Sequence, residues 1–169
     1  MPDATGLELI AQQVRERLGD EAVTGTTYYR EQATLEVAPE RVRDVLELLK
    51  PDFERLMSVH GCDYLPDEPR LGVHYQLLSM ERLDRLNVKT RVGVAEPRLP
   101  SVVELFPTAN FQEREIYDFF GVEFEGHPDL RRILLPEDYE GFPQRRDFPI
   151  GGEPVLFTFN EHKYPRWYD

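Results

Sequence analysis

Two segments near the middle of the chain, LGVHYQLLSM at residues 71–80 and NVKTRVGV at residues 87–94, have the composition of β-strands. The apolar and β-branched residues of the second segment share one face of an extended chain, and they are Val88, Thr90, Val92 and Val94. Lys89, Arg91 and Gly93 take the other face. This alternation of period two predicts a half-buried antiparallel strand.

An amphipathic helix is predicted near the N-terminus. Thr5 and Glu8 have the spacing of a capping box, and Gly19 is a stop signal. The apolar residues between them recur at helical intervals, at Leu7, Ile10, Val14 and Leu18. We expect one buried stripe on this helix.

Two short strands, a second helix and a further strand follow. Strand composition occurs at residues 24–29 and 33–37, with a hairpin turn predicted at residues 30–32, and again at residues 56–60. Pro39 suits the first turn of the second helix. The apolar stripe of that helix consists of Val42, Val45, Leu46 and Leu49.

Proline-rich breaks separate these units, and they contain Pro66, Pro69, Pro97 and Pro100. After them, Ser101 and Glu104 form a second capping box that predicts a short helix to Phe106. Because strands occur in runs and do not alternate strictly with helices, we predict an α+β fold. Its sheet is mainly antiparallel or mixed, with flanking helices, within a domain of residues 1–121.

A three-turn helix is predicted at residues 110–121, NFQEREIYDFFG. Asn110 and Glu113 resemble a capping pair, and Gly121 is placed for a left-handed C-cap. The apolar face of this helix consists of Ile116, Phe119 and Phe120. Its charged residues are Glu113, Arg114, Glu115 and Asp118.

These charges have three interpretations. They form a solvated helix face with local ion pairs, such as Arg114 to Asp118 at i,i+4 spacing. Alternatively, the paired carboxylates do acid–base chemistry. In the third interpretation Arg114 and the acids are buried at a subunit boundary, where Arg makes bidentate pairs to carboxylates.

Residues 122–169 differ in character from the rest of the chain. From Phe111 onward lie 13 of the 19 aromatic residues, and six of the 14 prolines fall in residues 128–169. Without a sustained period such a segment cannot easily form its own core, yet it carries too much apolar surface for a solvated linker. We therefore predict an extended C-terminal segment that wraps partner subunits.

Two similar phrases in this segment, GHPDLRR at residues 126–132 and GFPQRRDFP at residues 141–149, combine Gly and Pro turns with an Arg pair. Such turns present guanidinium groups at fixed positions. A phosphate pocket is one use of these Arg residues, but no helix N-terminus or glycine nest is implied beside them. We expect pairing with acids of this chain or of a partner.

Composition excludes several classes of function. The formal net charge of −12 disfavours direct binding to nucleic acid or anionic membranes, and no apolar run approaches the length of a membrane span. A single cysteine, Cys62, excludes an intramolecular disulfide and a self-contained iron–sulfur cluster. The usual dinucleotide, P-loop, serine-hydrolase and zinc-protease motifs are missing from the sequence. The best metal candidate is His60 with Cys62 and Asp63, for which we favour a structural thiol and an ordinary histidine.

The ordered stretch EREIYDFFGVEFEGHPDLRRILLPEDYEGFPQRRDFP, Glu113 to Pro149, resembles the signature of the C subunit, or thirty-kilodalton subunit family, of NADH:quinone oxidoreductase. The resemblance is strong over residues 97–159. Phe111 stands where Trp is frequent in the family. Phe142 stands where the second phrase usually reads Gly-His-Pro, which removes any role for a ring nitrogen there.

The resemblance assigns family-signature positions to 16 residues, for which we expect interface and folding roles and no catalysis. They are Glu113, Arg114, Glu115, Tyr117, Asp118, Gly121, His127, Pro128, Asp129, Leu130, Arg131, Arg132, Arg145, Arg146, Asp147 and Pro149.

By resemblance, the chain is a cofactor-free core subunit of the peripheral arm of respiratory complex I. FMN and iron–sulfur clusters lie in partner subunits, and the chief partners are the quinone-site subunit and cluster-bearing neighbours. The resemblance implies no nucleic acid, indirect membrane contact, and a place on the cytoplasmic side of the bacterial membrane. The N-terminus lacks a transit-peptide pattern, which favours a bacterial source.

Two alternatives stay open. The chain is then the equivalent subunit of a membrane-bound hydrogenase or of an F420- or ferredoxin-dependent dehydrogenase complex. Otherwise it is a stand-alone acid–base enzyme that uses Glu113, Glu115 and His127.

Overall fold

Five strands form one mixed sheet in the computed structural model, which describes residues 2–149. The strands are β1 Val23–Tyr29, β2 Gln32–Val37, β3 Arg55–Asp63, β4 Leu71–Leu78 and β5 Arg85–Val92. Their order in the sheet is β1-β2-β5-β4-β3. Only β2 and β5 pair in parallel, and the other neighbours are antiparallel. The predicted α+β fold with a mainly antiparallel or mixed sheet is confirmed.

The hairpin of β4 and β5 confirms the alternation at the centre of the sequence. Leu71 pairs with Val92, and the β5 residues Val88, Thr90 and Val92 are buried. Val94 lies beyond the end of the strand. The predicted β1–β2 turn is also present, with residues 30–31 at φ of +48° and +62°, as in the tight turns that match strand twist.

The first helix, α1 Ala4–Leu18, begins earlier than its predicted cap. Asp3 is the N-cap, and its Oδ1 accepts the Gly6 N–H at 2.7 Å. The capping box from Thr5 to Glu8 is therefore wrong, since Glu8 instead accepts the Thr26 hydroxyl of β1. The predicted stop at Gly19 is confirmed by its φ of +98°.

The buried side chains of the sheet lie on one face, which we call the inner face. Thr26 pairs with Leu35 there and bonds α1, while Gly61 pairs with Val73 and contacts the Phe120 ring of a later helix. The second helix, α2 Val42–Leu49, follows a one-turn helix at Pro39–Arg41. Its predicted stripe is buried in the same core, namely Val42, Val45, Leu46 and Leu49.

The short helix predicted between Ser101 and Phe106 is wrong. The segment forms a turn, in which the Phe106 N–H bonds the Val102 carbonyl at 2.8 Å. The Ser101 hydroxyl bonds Glu113, far along the chain, so Glu104 does not complete the predicted capping box. A hydrogen-bonding partner from tertiary structure replaces the local one.

Two short strands flank this turn and were not predicted. β6 Arg98–Pro100 and β7 Glu123–Glu125 pair in parallel as a separate two-stranded sheet. Between them lies the third helix, α3 Ala109–Phe120, which packs on β3. Three-residue strands next to prolines carry too little pattern to be recognised from sequence.

No helix among residues 2–149 is long and apolar enough to cross a membrane.

Core packing predicts a large difference between two leucine truncations in helices. Leu46→Ala removes a fully buried side chain and should lower the free energy of unfolding by about 2–5 kcal/mol. Leu9→Ala is the matched control, because Leu9 is 63% exposed and its loss should change stability by less than about 0.5 kcal/mol. Urea denaturation measures both, and equal effects would contradict this description of the core.

Candidate functional site

The charged residues of α3 are mostly buried. Glu113 and Asp118 are 0% exposed and Arg114 is 8% exposed, whereas Glu115 is exposed. The interpretation as a solvated helix face is therefore wrong for three of the four residues. Buried charges require partners, and residues 101–102 and 126–147 of the same chain provide most of them.

Asp118 binds the segment that follows β7. Its Oδ2 accepts three consecutive N–H groups, from Ile133, Leu134 and Leu135 at 3.0, 2.7 and 2.9 Å. Its Oδ1 accepts Nη1 of Arg132 at 2.8 Å. Burial raises the pKa of Asp118, but the amide bonds and Arg132 outweigh it, so the pKa lies below its usual value.

Arg132 closes the loop that continues from this point. Nη2 of Arg132 donates to the carbonyls of Tyr139 and Gly141 at 2.8 and 3.0 Å. Its guanidinium also lies 5.7 Å from the Tyr139 ring centre and 5.4 Å from that of Phe142. One Arg side chain thus connects α3 to both ends of residues 132–142.

Arg114 also reaches this segment. Its Nε and Nη2 donate to the carbonyls of Arg131 and Arg132, each at 3.2 Å. The local ion pair between Arg114 and Asp118 is therefore wrong, since Asp118 pairs with Arg132 instead. Both α3 side chains bond across the gap to the later segment.

Glu113 is buried without a cation in hydrogen-bonding contact. Its Oε2 accepts the Ser101 hydroxyl at 2.7 Å, and its Oε1 accepts the Val102 N–H at 2.8 Å. Burial raises the pKa of Glu113 to about 7, against the effect of these two bonds. The predicted capping pair with Asn110 is wrong, because α3 begins after Thr108 and Glu113 faces the β6 turn.

The hydrogen bonds of His127 assign a neutral ring. Nδ1 accepts the Asp129 N–H at 3.0 Å, so Nε2 carries the proton and donates to the Asn110 carbonyl at 3.1 Å. Nε2 is 4.0 Å from Glu113. Glu115 is exposed and does not join the pair, so the proposed acid–base trio is not brought together.

A second buried ion pair ties the end of the described chain to the β3–β4 hairpin. Arg70 makes two bonds to Asp63, at 2.7 and 2.6 Å, and two to Asp147, also at 2.7 and 2.6 Å. Arg146 adds its backbone N–H to Asp63 at 2.7 Å. The Arg70 bond holds the pKa of Asp63 far below its usual value, with the Arg146 and Leu65 amides assisting against burial.

The predicted metal cluster does not form in the described residues. Asp63 is occupied by Arg70, and His60 stacks on His74 with ring centres 5.0 Å apart. Across residues 2–149 no group of three or more His, Cys, Asp or Glu side chains could hold a metal ion. Sequence reasoning missed Arg70 entirely, because its second carboxylate partner, Asp147, is 77 positions away.

The second Gly-Pro-Arg phrase packs against the end of α3. Nε of Arg145 donates to the Phe120 carbonyl at 2.7 Å, and its guanidinium lies 4.5 Å from the Phe142 ring centre. Gly121 has a φ of +72°, and a Cβ there would lie 2.5 Å from the Phe142 ring. The left-handed C-cap is confirmed, and it also makes room for Phe142.

The remaining signature residues complete this surface. Tyr117 contacts the Phe142 ring edge-on at 6.5 Å, and Asp129 pairs with exposed Arg131 at 3.0 Å. Pro128 and Pro149 are exposed and Leu130 is half-buried. Together these contacts bind residues 126–149 to α3 and the β3–β4 hairpin. The arrangement positions a chain segment and presents no nucleophile.

The sequence matches the family profile described as respiratory-chain NADH dehydrogenase, 30 Kd subunit, over residues 35–154. This match covers more than half of the chain, so the protein belongs to that family.

Curated relatives all carry one name, the C subunit of NADH-quinone oxidoreductase. The relative from Roseiflexus castenholzii is 44% identical over 147 residues, covering 85% of this chain and 84% of that protein. The relative from Salinispora arenicola is 47% identical over 142 residues, which span 81% of this chain and 58% of that longer protein.

Solved structures share the fold. A trypsin-resistant fragment of Nqo5 superposes with a TM-score of 0.64 at 32% identity, covering 73% of this chain and 98% of the fragment. A chain of the membrane-bound sulfane sulfur reductase, an archaeal respiratory membrane complex, gives a TM-score of 0.69 at 28% identity. That alignment covers 93% of this chain and 90% of the other.

Loss of one Asp118 oxygen should release the segment at residues 133–135. Asp118→Asn places an amide donor against N–H or guanidinium donors, and we expect unfolding free energy to fall by about 3–5 kcal/mol. Asp129→Asn makes the same chemical change in an exposed pair and should cost less than about 1 kcal/mol. Amide hydrogen exchange at residues 133–135 should rise in the first variant alone. Unchanged exchange there would contradict the role of Asp118.

Glu113 should make stability fall as pH rises. Its folded pKa of about 7 exceeds the unfolded value of 4.5, so the folded state retains the proton between these values. Stability is greatest below the unfolded pKa and is lost as pH rises through the folded pKa.

The comparison of wild type with Glu113→Gln isolates this effect, because other groups such as His74 titrate equally in both. Between about pH 5 and pH 8 the variant should gain up to about 3 kcal/mol relative to wild type. Urea denaturation at each pH measures this difference. A stability difference that does not vary with pH would refute the assignment of a near-neutral pKa to Glu113.

Proposed function

We propose that this chain is a cofactor-free core subunit of the peripheral arm of proton-translocating NADH:quinone oxidoreductase, complex I. In this role it scaffolds the electron path from NADH through FMN and iron–sulfur clusters to quinone, and those cofactors reside in partner subunits. Family membership over residues 35–154 supports the proposal. The isolated chain has no catalytic role in it.

The observation that carries the proposal is the use of the signature residues. Asp118, Arg132 and Arg70 use buried charges to hold residues 126–149 in one conformation. A rigid, irregular segment held this way suits a docking surface, because a preformed surface loses little entropy on binding. We assign interface and folding roles, and no catalysis, to the signature residues on this basis.

We further propose that residues 122–169 contact neighbouring subunits, chiefly the quinone-site subunit and cluster-bearing neighbours. Residues 150–169 lie outside the described residues. In residues 122–149, exposed Leu134, at 61%, and exposed Arg131 leave apolar and cationic side chains available for such contacts. The chain would then sit on the cytoplasmic side of the membrane, attached only through partners.

A sister respiratory complex is the second candidate. The likeness to the sulfane sulfur reductase complex favours it, because that alignment covers 93% of this chain. The names of the curated relatives support complex I more strongly. An acid–base enzyme has no comparable support, since Glu113 and His127 are buried and Glu115 lies apart from them.

Co-purification from the native host tests the proposal. The chain is tagged at its N-terminus, membranes are solubilised gently, and bound proteins are identified while NADH:quinone reductase activity is assayed in the same fraction. We expect flavin- and cluster-bearing subunits together with that activity. Recovery of a different respiratory complex would move the chain to the second candidate, and a lone soluble chain would refute both.

Arg146→Ala separates the scaffold role from a catalytic one. Normal assembly and cluster content without quinone reduction would contradict the interface assignment of this residue. Loss of assembly and activity in proportion is the expected result.

A further inference from the structure

The sheet face opposite the core, which we call the outer face, has a charge opposite in sign to that of the chain. Cross-strand partners share a face, so the β-pairing register identifies its members. The charged strand residues on it are Glu36, Arg55, Arg85, Lys89 and Arg91. Four of these are cations and one is a carboxylate, whereas the whole chain has 32 acids against 20 Lys and Arg.

A hydrogen-bonded network fixes the uncharged polar side chains at the centre of the outer face. Gln76 donates to Oδ1 of Asn87 at 3.1 Å, and Asn87 donates to Thr34 at 3.1 Å. Nδ1 of His74 lies 3.1 Å from the Asn87 amide, and its Nε2 lies 2.8 Å from the Tyr64 hydroxyl. These groups span four strands or their ends, and ordering them on docking costs little entropy.

Two of the cations are held in place as well. Lys89 and Arg91 lie over the Tyr64 ring, 4.9 and 4.5 Å from its centre, and Lys89 pairs with Glu36 at 3.0 Å. Arg55 and Arg85 are exposed at one end of the face, where Leu78 pairs with both. The face therefore presents a fixed polar centre beside accessible positive charge.

We propose that the outer face docks an acidic surface of a neighbouring protein subunit, with carboxylates of that partner facing Arg55 and Arg85. That the neighbour is a subunit of a respiratory complex rests on the proposed function. Complementary charge would direct the partner to this face and away from the acidic remainder of the chain.

The size of the face favours a protein over a membrane or a nucleic acid. Five strands spaced by about 4.8 Å make it roughly 20 Å wide. A bilayer or a long duplex extends past this width and meets the acidic remainder, which repels it. A compact acidic patch stays within the face, since charges are screened beyond about 8 Å at physiological ionic strength.

Charge reversal tests the proposal in the assembled complex. Arg55→Glu/Arg85→Glu should lower the amount of chain retained in the complex at least about five-fold, and more so at low ionic strength. Arg15→Glu/Arg17→Glu is the matched control on α1, with the same change in charge, and should be retained like wild type. Equal retention of both variants would overturn the proposal. If the reversed chain does not fold by circular dichroism, Arg55→Gln/Arg85→Gln takes its place under the same criteria.

A binding assay with the purified full-length chain is independent of the complex. An octaglutamate peptide and phosphatidylglycerol vesicles serve as probes at low salt. We expect the peptide to bind wild type and the α1 control, and its Kd to rise at least about five-fold for Arg55→Glu/Arg85→Glu. No peptide binding, or binding of the vesicles in its place, would overturn the proposal. If wild type recovers no partner subunits, the proposed function fails and this assay alone decides the docking.

Discussion

The carboxylate of Asp118 organises the second half of the structure. It lies inside α3 at 0% exposure, yet it satisfies three successive backbone amides and one guanidinium from a segment without regular secondary structure. Irregular backbone cannot satisfy its own N–H groups as a helix or strand does. The carboxylate therefore replaces the missing secondary structure, and Arg132 neutralises its charge.

The helix α3 consequently serves two different surroundings. Asp118 and Arg114 face the segment at residues 131–135, while Glu113 faces the turn after β6. Asp118 has cationic and amide partners and remains charged, whereas Glu113 has only neutral donors and holds its proton to about neutral pH. Two carboxylates on the same helix thus differ in pKa because their partners differ.

Much of the fold was predictable because its signals are local. The alternation in residues 87–94, the stripe of α2 and the glycine stops at Gly19 and Gly121 were all confirmed. The errors concern caps, such as Thr5 and Ser101, whose side chains had competing partners. A capping signal states only that a bond is available locally, and packing decides whether another partner takes it.

The amino-acid sequence was sufficient for the class of fold, the position of most helices and strands, and membership of a subunit family, because these follow from periodicity and from an ordered motif. The folded chain was needed to show what the motif does within the protein. The partners of Asp118, Arg70 and Glu113 lie 15, 77 and 12 positions away respectively, through Ile133, Asp147 and Ser101. No local spacing encodes such bonds, since they exist only after the sheet and α3 have brought distant residues together.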